Sequence, residues 1–374
     1  MREAITPGRF PWYDYRHYTF SLGLRVGGRS WLSGHTASEH DPATGKMVVR
    51  GDMAGQARTA YEKIAAILEG AGQSLADVVR VVEYVTERGL ARYAEAAAVR
   101  AEVLGASRPA VNTVLVRSLL RPEALIELEA TADAARGAGG IVYLPSILPL
   151  DDRGEVIGAG DVVAQARAVY ERARDLLAPL GLGLDRVVKT LDYVTPAALA
   201  GYKATGRVRR EFLGPVYPAA AGIIMPRLPH PGALIQVDVI ASREAPVGVD
   251  PGWARYAKLT YSAGVRAGNT LFLSGFAALE PETERAVHAG DVVAQAEYTY
   301  TNILRVLRAA GAGPEHLVKT VEYVTPSALP RYREVAKVRA KLLQVPYPAS
   351  TGCVCETLLR PEFEIEVDPT AVLD

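Results

Sequence analysis

The sequence predicts an α+β fold made of three tandem ββαβαββ repeats, and three observations carry that prediction. The segment "GDMAGQARTAYEKI" at Gly51 returns as "GDVVAQARAVYERA" at Gly160 and "GDVVAQAEYTYTNI" at Gly290. A second anchor, "VVRVVEYVT", returns as "VVKTLDYVT" and "LVKTVEYVT". The spacing between anchors is rigid: Asp52 to Tyr84, Asp161 to Tyr193 and Asp291 to Tyr323 are each 32 positions. A further 25 positions reach Pro109, Pro218 and Pro348, and 18 more reach Glu127, Gln236 and Glu366. Self-similarity at a fixed period marks repeated structural units.

Within a repeat the elements read in order. A hairpin comes first, "FSLGLRV", turn "GGR", then "SWLSG", followed by a loop that ends at Gly51. The first helix starts after Asp52, a suitable N-cap, with Met53, Ala57, Ala60, Tyr61, Ile64 and Leu68 as its apolar stripe. "GAG" stops it. "VVRVVEYVT" is a strand rich in β-branched residues. A second helix is expected over roughly Leu90 to Leu104, then strands over Ala110 to Val116 and Leu125 to Ala130. The order ββαβαββ gives a sheet with helices on one face and another partner on the other.

The repeats differ at their fronts. "AKLTYSAGVRAGNTLFLSG" before the third matches "YTFSLGLRVGGRSWLSG" of the first, while the second offers only "RGAGGIVYLPS" and is expected to lack its first strand. The expected domains are 1–135, 136–245 (truncated at its start) and 246–374.

Composition narrows the function classes. At 374 residues the chain suits two or three domains, and 42 Lys+Arg balance 42 Asp+Glu without a long run of either sign. No broad nucleic-acid surface is expected. Cys353 and Cys355 are one residue apart, unsuited to a structural disulfide, and the six histidines form no zinc-spaced cluster. The N-terminus has no apolar core for a signal peptide, and no run approaches the ~20 apolar residues of a membrane span. The reading is a cytoplasmic protein with no metal, no cofactor, no membrane and no nucleic-acid partner.

"SG" after the second strand, "GD…Q" opening the first helix, "YVT", "PA" before the fifth strand and "IELE" or "IEVD" at the end together resemble the RidA/YjgF family. The resemblance runs three times over nearly the whole chain. It implies a chorismate-mutase-like fold and one chain forming an intramolecular pseudo-trimer, as a monomer or a homodimer. It also implies hydrolysis of enamine or imine intermediates in clefts between neighbouring units. The family's carboxylate-binding Arg after "PA" falls on Val111, Ala220 and Ser350, so it is absent from all three repeats. A guanidinium there would engage a carboxylate through two parallel bonds. The cysteine two residues later falls on Thr113, Gly222 and Gly352. The first-strand Tyr falls on Phe20 and Tyr261, and the last-strand Glu is kept as Glu127 and Glu366 but is Gln236 in the second repeat.

The candidate catalytic residues are therefore Glu366, Glu127, Tyr261 and His35, with Ser350, Thr351, Gly275, Thr113, Phe20 and Arg339 expected to line substrate. Each has a plainer reading beside it. Period-2 geometry puts Glu366 and Asp368 on the inter-domain face, opposite Ile365 and Val367, where a carboxyl could act as general base or could pair with an interface Arg. Tyr261 could donate to substrate or pack. His35, directly after "SG", is either an acid/base group or an ordinary exposed loop histidine. Cys353 and Cys355 are expected to pack under the helices. Ser350 and Thr351 lack His and Asp partners for a nucleophilic triad, leaving Ser350 as a ligand hydrogen-bonder. Arg100, Arg209 and Arg339 share one helix position and either pair within the scaffold or replace the missing anion-binding Arg.

The expected function is an enzyme acting without cofactor on a small enamine, imine or carbonyl intermediate of a specialised, biosynthetic pathway. Hydrolytic deamination, tautomerisation or a related acid/base step would fit, with one or two working clefts. The alternative is a non-catalytic, metabolite-binding member of the family.

Overall fold

A computed structural model describes residues 2–135 and 140–373. In the first repeat the sheet runs from the hairpin Gly23–Val26 and Arg29–Leu32, through the last strand Ile126–Asp133 and the middle strand Val78–Thr86, to Ala110–Val116. The middle strand pairs antiparallel with the last and parallel with Ala110–Val116, the crossover that the second helix makes possible. Register is kept through the chain: Tyr84 lies opposite Glu127, Tyr193 opposite Gln236, and Tyr323 opposite Glu366.

The "GD" motif has a local cause. Gly51, Gly160 and Gly290 take φ of 86°, 78° and 80°, a region a side chain disfavours. The aspartates that follow cap the helices Met53–Gly70, Val162–Leu177 and Val292–Ala309. Asp52 accepts from the Gly55 N–H at 3.0 Å, satisfying one orphan donor of the first turn. The "Q" of the motif ties that helix to the loop before the last strand: Gln56 accepts from Leu125 N–H, Gln165 from Leu234 N–H and Gln295 from Glu364 N–H.

Two elements depart from expectation. The loop before Gly51 contains a second hairpin, Ser38–Asp41 with Lys46–Val49, braced by Arg50 on Glu39 and Asp41. The second helix is not continuous. Thr86 caps a single turn, Glu87–Leu90, through Gly89 N–H, and the helix restarts as Tyr93–Leu104. In the second repeat one hairpin strand, Ile141–Tyr143, pairs with the last strand Ile235–Ser242. Residues 136–139, where the second domain is expected to open, lie outside the described residues.

The three repeats meet in a ring. Ser118–Leu119 of the first pairs with Ala349–Val354 of the third, Thr357–Leu358 of the third pairs with Ala219–Ile224 of the second, and Ser146 of the second donates its N–H to Val111 of the first. The sheet faces away from the helices form a shared core holding Tyr84, Tyr193, Tyr323, Cys353 and Cys355. This corrects the expectation for the cysteines, which point at the shared core, whereas Val354 lies under the helices. Cys353, Val354 and Cys355 are all fully buried, so alternation alone cannot assign their faces.

Beside the shared core lies a closed cycle of ion pairs. Arg80, Lys189 and Lys319 occupy one position of the three middle strands. Each meets an acid on the last strand of the next repeat: Arg80 with Asp238 at 3.5 Å, Lys189 with Asp368, and Lys319 with Glu129 at 2.9 Å. All three cations line a small cavity of about 40 Å³, room enough for a water.

Candidate functional site

Each inter-repeat cleft is built from a last-strand residue of one repeat and the Pro-Ala strand of another. At the junction of the third and second repeats, Gly275 donates its N–H to Ala220 O at 2.9 Å, and Ala220 donates back to Ser274 Oγ at 2.9 Å. At the junction of the first and third, Gly34 donates to Ser350 O at 3.2 Å and Ser350 N–H to Ser33 Oγ at 2.8 Å. The "SG" motif is thus an interface stitch. Its glycine has a second role, because a Cβ at Gly275 or Gly34 would overlap the carboxyl of Glu366 or Glu127.

The Glu366 cleft is open. It forms a cavity of about 750 Å³ between the second and third repeats, lined by Glu366, Tyr261 and Gly275 on one side and by Tyr202, Arg209 and Ala220 on the other. Glu366 is 6% exposed. Burial raises its pKa to about 8, Asp368 pushes it further up, and Lys189 and the Gly222 N–H oppose the rise. At neutral pH the carboxyl is mostly protonated, so it can give a proton and take one back. Tyr261 is held by burial above the ordinary tyrosine range and feels Arg255, Glu366 and Arg209 together. Its hydroxyl is 3.4 Å from Arg255 Nη2.

The Glu127 cleft is dressed differently. Burial and then Glu129 raise Glu127 to about 8, against Lys319 and Lys63. An aromatic cluster from the N-terminal segment, with Phe10 edge-on to Trp12, Tyr13 and Tyr15, stands beside it. Burial, then Tyr18 and Glu127, raise the Tyr13 pKa above the ordinary tyrosine range, against Arg121. Phe20 stacks on Tyr18 at 5.0 Å. Ser350 Oγ accepts from Thr320 at 3.2 Å. Thr351 turns its hydroxyl away from the cleft, accepting from Lys319 at 2.7 Å and donating to Glu129 at 2.5 Å, which removes it as a substrate donor.

His35 is neither an accessible acid/base group nor an exposed loop residue. It is 1% exposed, and its backbone pairs with Leu128 on both sides. Burial, with Lys63 and Lys319 nearby, lowers its pKa to about 3, so the imidazole is neutral and shut off from exchange with a substrate.

The third cleft fills itself. Ser146 stands where the other repeats have Gly34 and Gly275, and Gln236 stands where they have Glu. Gln236 Nε2 donates to Ser146 Oγ and to Thr113 O, both at 3.0 Å, while Ser146 donates to Asp238 at 2.6 Å. Thr113 belongs to this cleft, its hydroxyl 2.7 Å from Tyr93. The residue expected to line substrate therefore sits away from both buried glutamates.

The shared arginines serve the scaffold. Arg100 pairs with Glu83 and Arg339 with Glu322, each at 2.6 Å, and Arg209 pairs with Asp192. A tyrosine hydroxyl (Tyr93, Tyr332 or Tyr202) donates to the same acid in each case. Arg339 also spans the junction to Thr19 at 3.2 Å. Glu366 and Tyr261 thus face the second repeat, whereas Ser350 and Arg339 face the first. All four belong to the third repeat, and the fold divides them between two clefts.

The model of the family described as "Endoribonuclease L-PSP" matches residues 16–134, 133–243 and 254–373. The chain belongs to that family three times over. A RutC family protein of Pyrococcus horikoshii is 39% identical over 113 residues, 30% of this chain and 85% of the relative. The 3-aminoacrylate deaminase RutC of Acinetobacter baylyi is 34% identical over 107 residues, 29% of this chain and 82% of the relative. These likenesses agree with the RidA/YjgF resemblance carried by the "SG", "GD…Q" and "PA" motifs. A crystal structure of chorismatase matches 93% of this chain and 100% of its own, with a TM-score of 0.53 and 15% identity, a likeness of fold. The short matches to these two relatives fit the architecture: a unit resembling a small separate protein is here repeated three times in one polypeptide.

Several residues around the two clefts escape the sequence. Trp253, Arg255 and Tyr256 line the Glu366 cavity from the start of the third repeat, ahead of its hairpin, in a stretch that carries no periodic signal. Ser146 is legible only as a mismatch to "SG".

Proposed function

We propose that the chain hydrolyses an enamine or imine in the Glu366 cleft, releasing ammonia and a carbonyl product. The observation that carries this is Glu366 itself, a carboxyl buried on the wall of an open cavity with a pKa near 8. A general acid tuned close to the working pH transfers protons in both directions efficiently. Protonated Glu366 gives its proton to the enamine carbon, making an iminium ion. Water adds to the C=N carbon while the Glu366 carboxylate takes its proton. That proton then passes to nitrogen, the C–N bond breaks and ammonia leaves as C=O forms, the hydroxyl returning its proton to the Glu366 carboxylate. Tyr261, adjoining both Arg255 and the carboxyl, orients the polar end of the substrate. The name of the A. baylyi relative, a deaminase, supports the same reaction class.

The test is ammonia release from freshly generated 2-imino acids made by an amino-acid oxidase from alanine, phenylalanine and glutamate. Acceleration over buffer is expected, larger for the aromatic or acidic imine than for 2-iminopropanoate. No acceleration with any of them would overturn the reading and leave a binding protein.

A further inference from the structure

The wall of the Glu366 cavity is far more basic than the balanced chain. Arg255, Lys258 and Arg360 of the third repeat line it, and Lys203, Arg207 and Arg210 of the second face them. Against these six stand two carboxyls, Glu284 and Glu366, and Glu366 is largely uncharged at neutral pH. Arg209 is already neutralised by Asp192. A concave wall of one sign concentrates and holds ligands of the other. The surplus of cations is larger than one carboxylate would balance.

Donors on the same wall lack acceptors. Among the described residues, Arg255 Nε and Trp253 Nε1 are buried without a hydrogen-bond partner, as is Arg209 Nε. Buried donors left unmatched are costly, and a ligand that supplies acceptors relieves that cost. Arg255 is positioned rather than loose, its guanidinium 5.7 Å from the centre of the Tyr256 ring and its Nη2 near the Tyr261 hydroxyl. The anion-binding Arg missing at Ala220 thus has a substitute that enters from the opposite repeat.

The rest of the lining is flat and apolar. Trp253 and Tyr256 stack at 6.2 Å, Tyr261 meets Tyr256 edge-on at 5.8 Å, and Phe276 and Phe363 extend the surface. A cavity of about 750 Å³ falls in the range that encloses drug-sized ligands, well beyond a three-carbon imino acid. Aromatic walls favour a planar ring, which can stack with offset faces.

We propose that the Glu366 cavity takes a planar ring compound bearing at least two acidic groups, one held by Arg255 beside Tyr261 and another by the Arg207–Arg210 wall. The inference deepens the assignment of this cleft as the working site and rests on it. Carboxylate and phosphate share the chemistry the wall recognises.

Calorimetric titration of the full chain with benzoate, isophthalate and 4-carboxyphenyl phosphate tests it without any turnover. At least tenfold tighter binding of one of the two-acid probes than of benzoate is expected, and the tighter one identifies the second group as carboxylate or phosphate. Arg255→Gln should weaken that probe at least tenfold. So should the double variant Arg207→Gln/Arg210→Gln, whose exposed positions spare the fold if Arg255 proves needed for folding. Equal affinity for benzoate and both two-acid probes, or unchanged affinity in both variants, would overturn the proposal. Selective binding without ammonia release from any imine would instead overturn the hydrolytic reading and leave this one standing.

Discussion

Glu366→Gln should lower ammonia release by about 10²–10⁴-fold, the usual contribution of a positioned proton-transfer group. Glutamine keeps the shape and can still accept from the Gly222 N–H, but it cannot cycle a proton. The same substitution has a second signature, in stability. The folded pKa of Glu366 is about 8 against an ordinary value of 4.5, so the native state holds the proton more tightly than the unfolded chain. Its contribution is therefore full below pH 4.5 and is lost as pH rises through 8. A tenfold change in proton affinity corresponds to about 1.4 kcal/mol, so the loss is on the order of a few kcal/mol. Glu127, also raised to about 8, acts in the same direction. Wild-type melting temperature should fall between pH 5 and pH 9, the fall should be shallower in Glu366→Gln, and shallowest when Glu127→Gln is added. The rate should decline above pH 8, where the general acid is no longer protonated. A wild-type stability profile that is flat over this range would contradict the assignment.

Lys189→Met should destabilise the chain by about 3–5 kcal/mol, because it leaves Asp368 buried without its cation. Lys189 pairs with Asp368 across the junction of the second and third repeats and also donates to Leu273 O, so one substitution loosens both bonds. Lys189→Met/Asp368→Leu should recover most of the loss, since replacing a whole buried pair by apolar groups is often near neutral. Urea unfolding of the single and double variants measures the difference. The single variant should also move the alkaline limb of activity upward, because Lys189 opposes the rise in the Glu366 pKa. Loss below about 1 kcal/mol in Lys189→Met would mean that the ion-pair cycle does not hold the repeats together.

Much of the architecture is legible in the sequence because it is local and repeated. "GD" marks a left-handed glycine and an N-cap, and both are properties of one short stretch. The alternation of Ile365, Glu366, Val367 and Asp368 assigns two faces of one strand, with Ile365 and Val367 under the helices and Glu366 and Asp368 between repeats. What cannot be read involves partners from elsewhere. Nothing near Thr351 signals that its hydroxyl is taken by Lys319 and Glu129. Nothing near Ser350 signals that its cleft is completed by Glu127 rather than Glu366. The direction of Cys353 and Cys355 is hidden because they and Val354 between them are all buried, one face in the shared core and the other under the helices. His35 follows "SG" into a position where the backbone bridge to Leu128 turns it inward. Arg255 lies ahead of the third repeat's hairpin, in a stretch whose role depends on a wall contributed by another repeat.

The most direct measurement is a 13C NMR titration of the side-chain carboxyl carbons in glutamate-labelled protein, with Glu366→Gln used to assign the signal. The signal lost in Glu366→Gln should titrate near pH 8 in the wild type. A midpoint for that carboxyl near the ordinary value of 4.5 would remove the proton donor from the cleft and contradict the proposed hydrolysis at its centre.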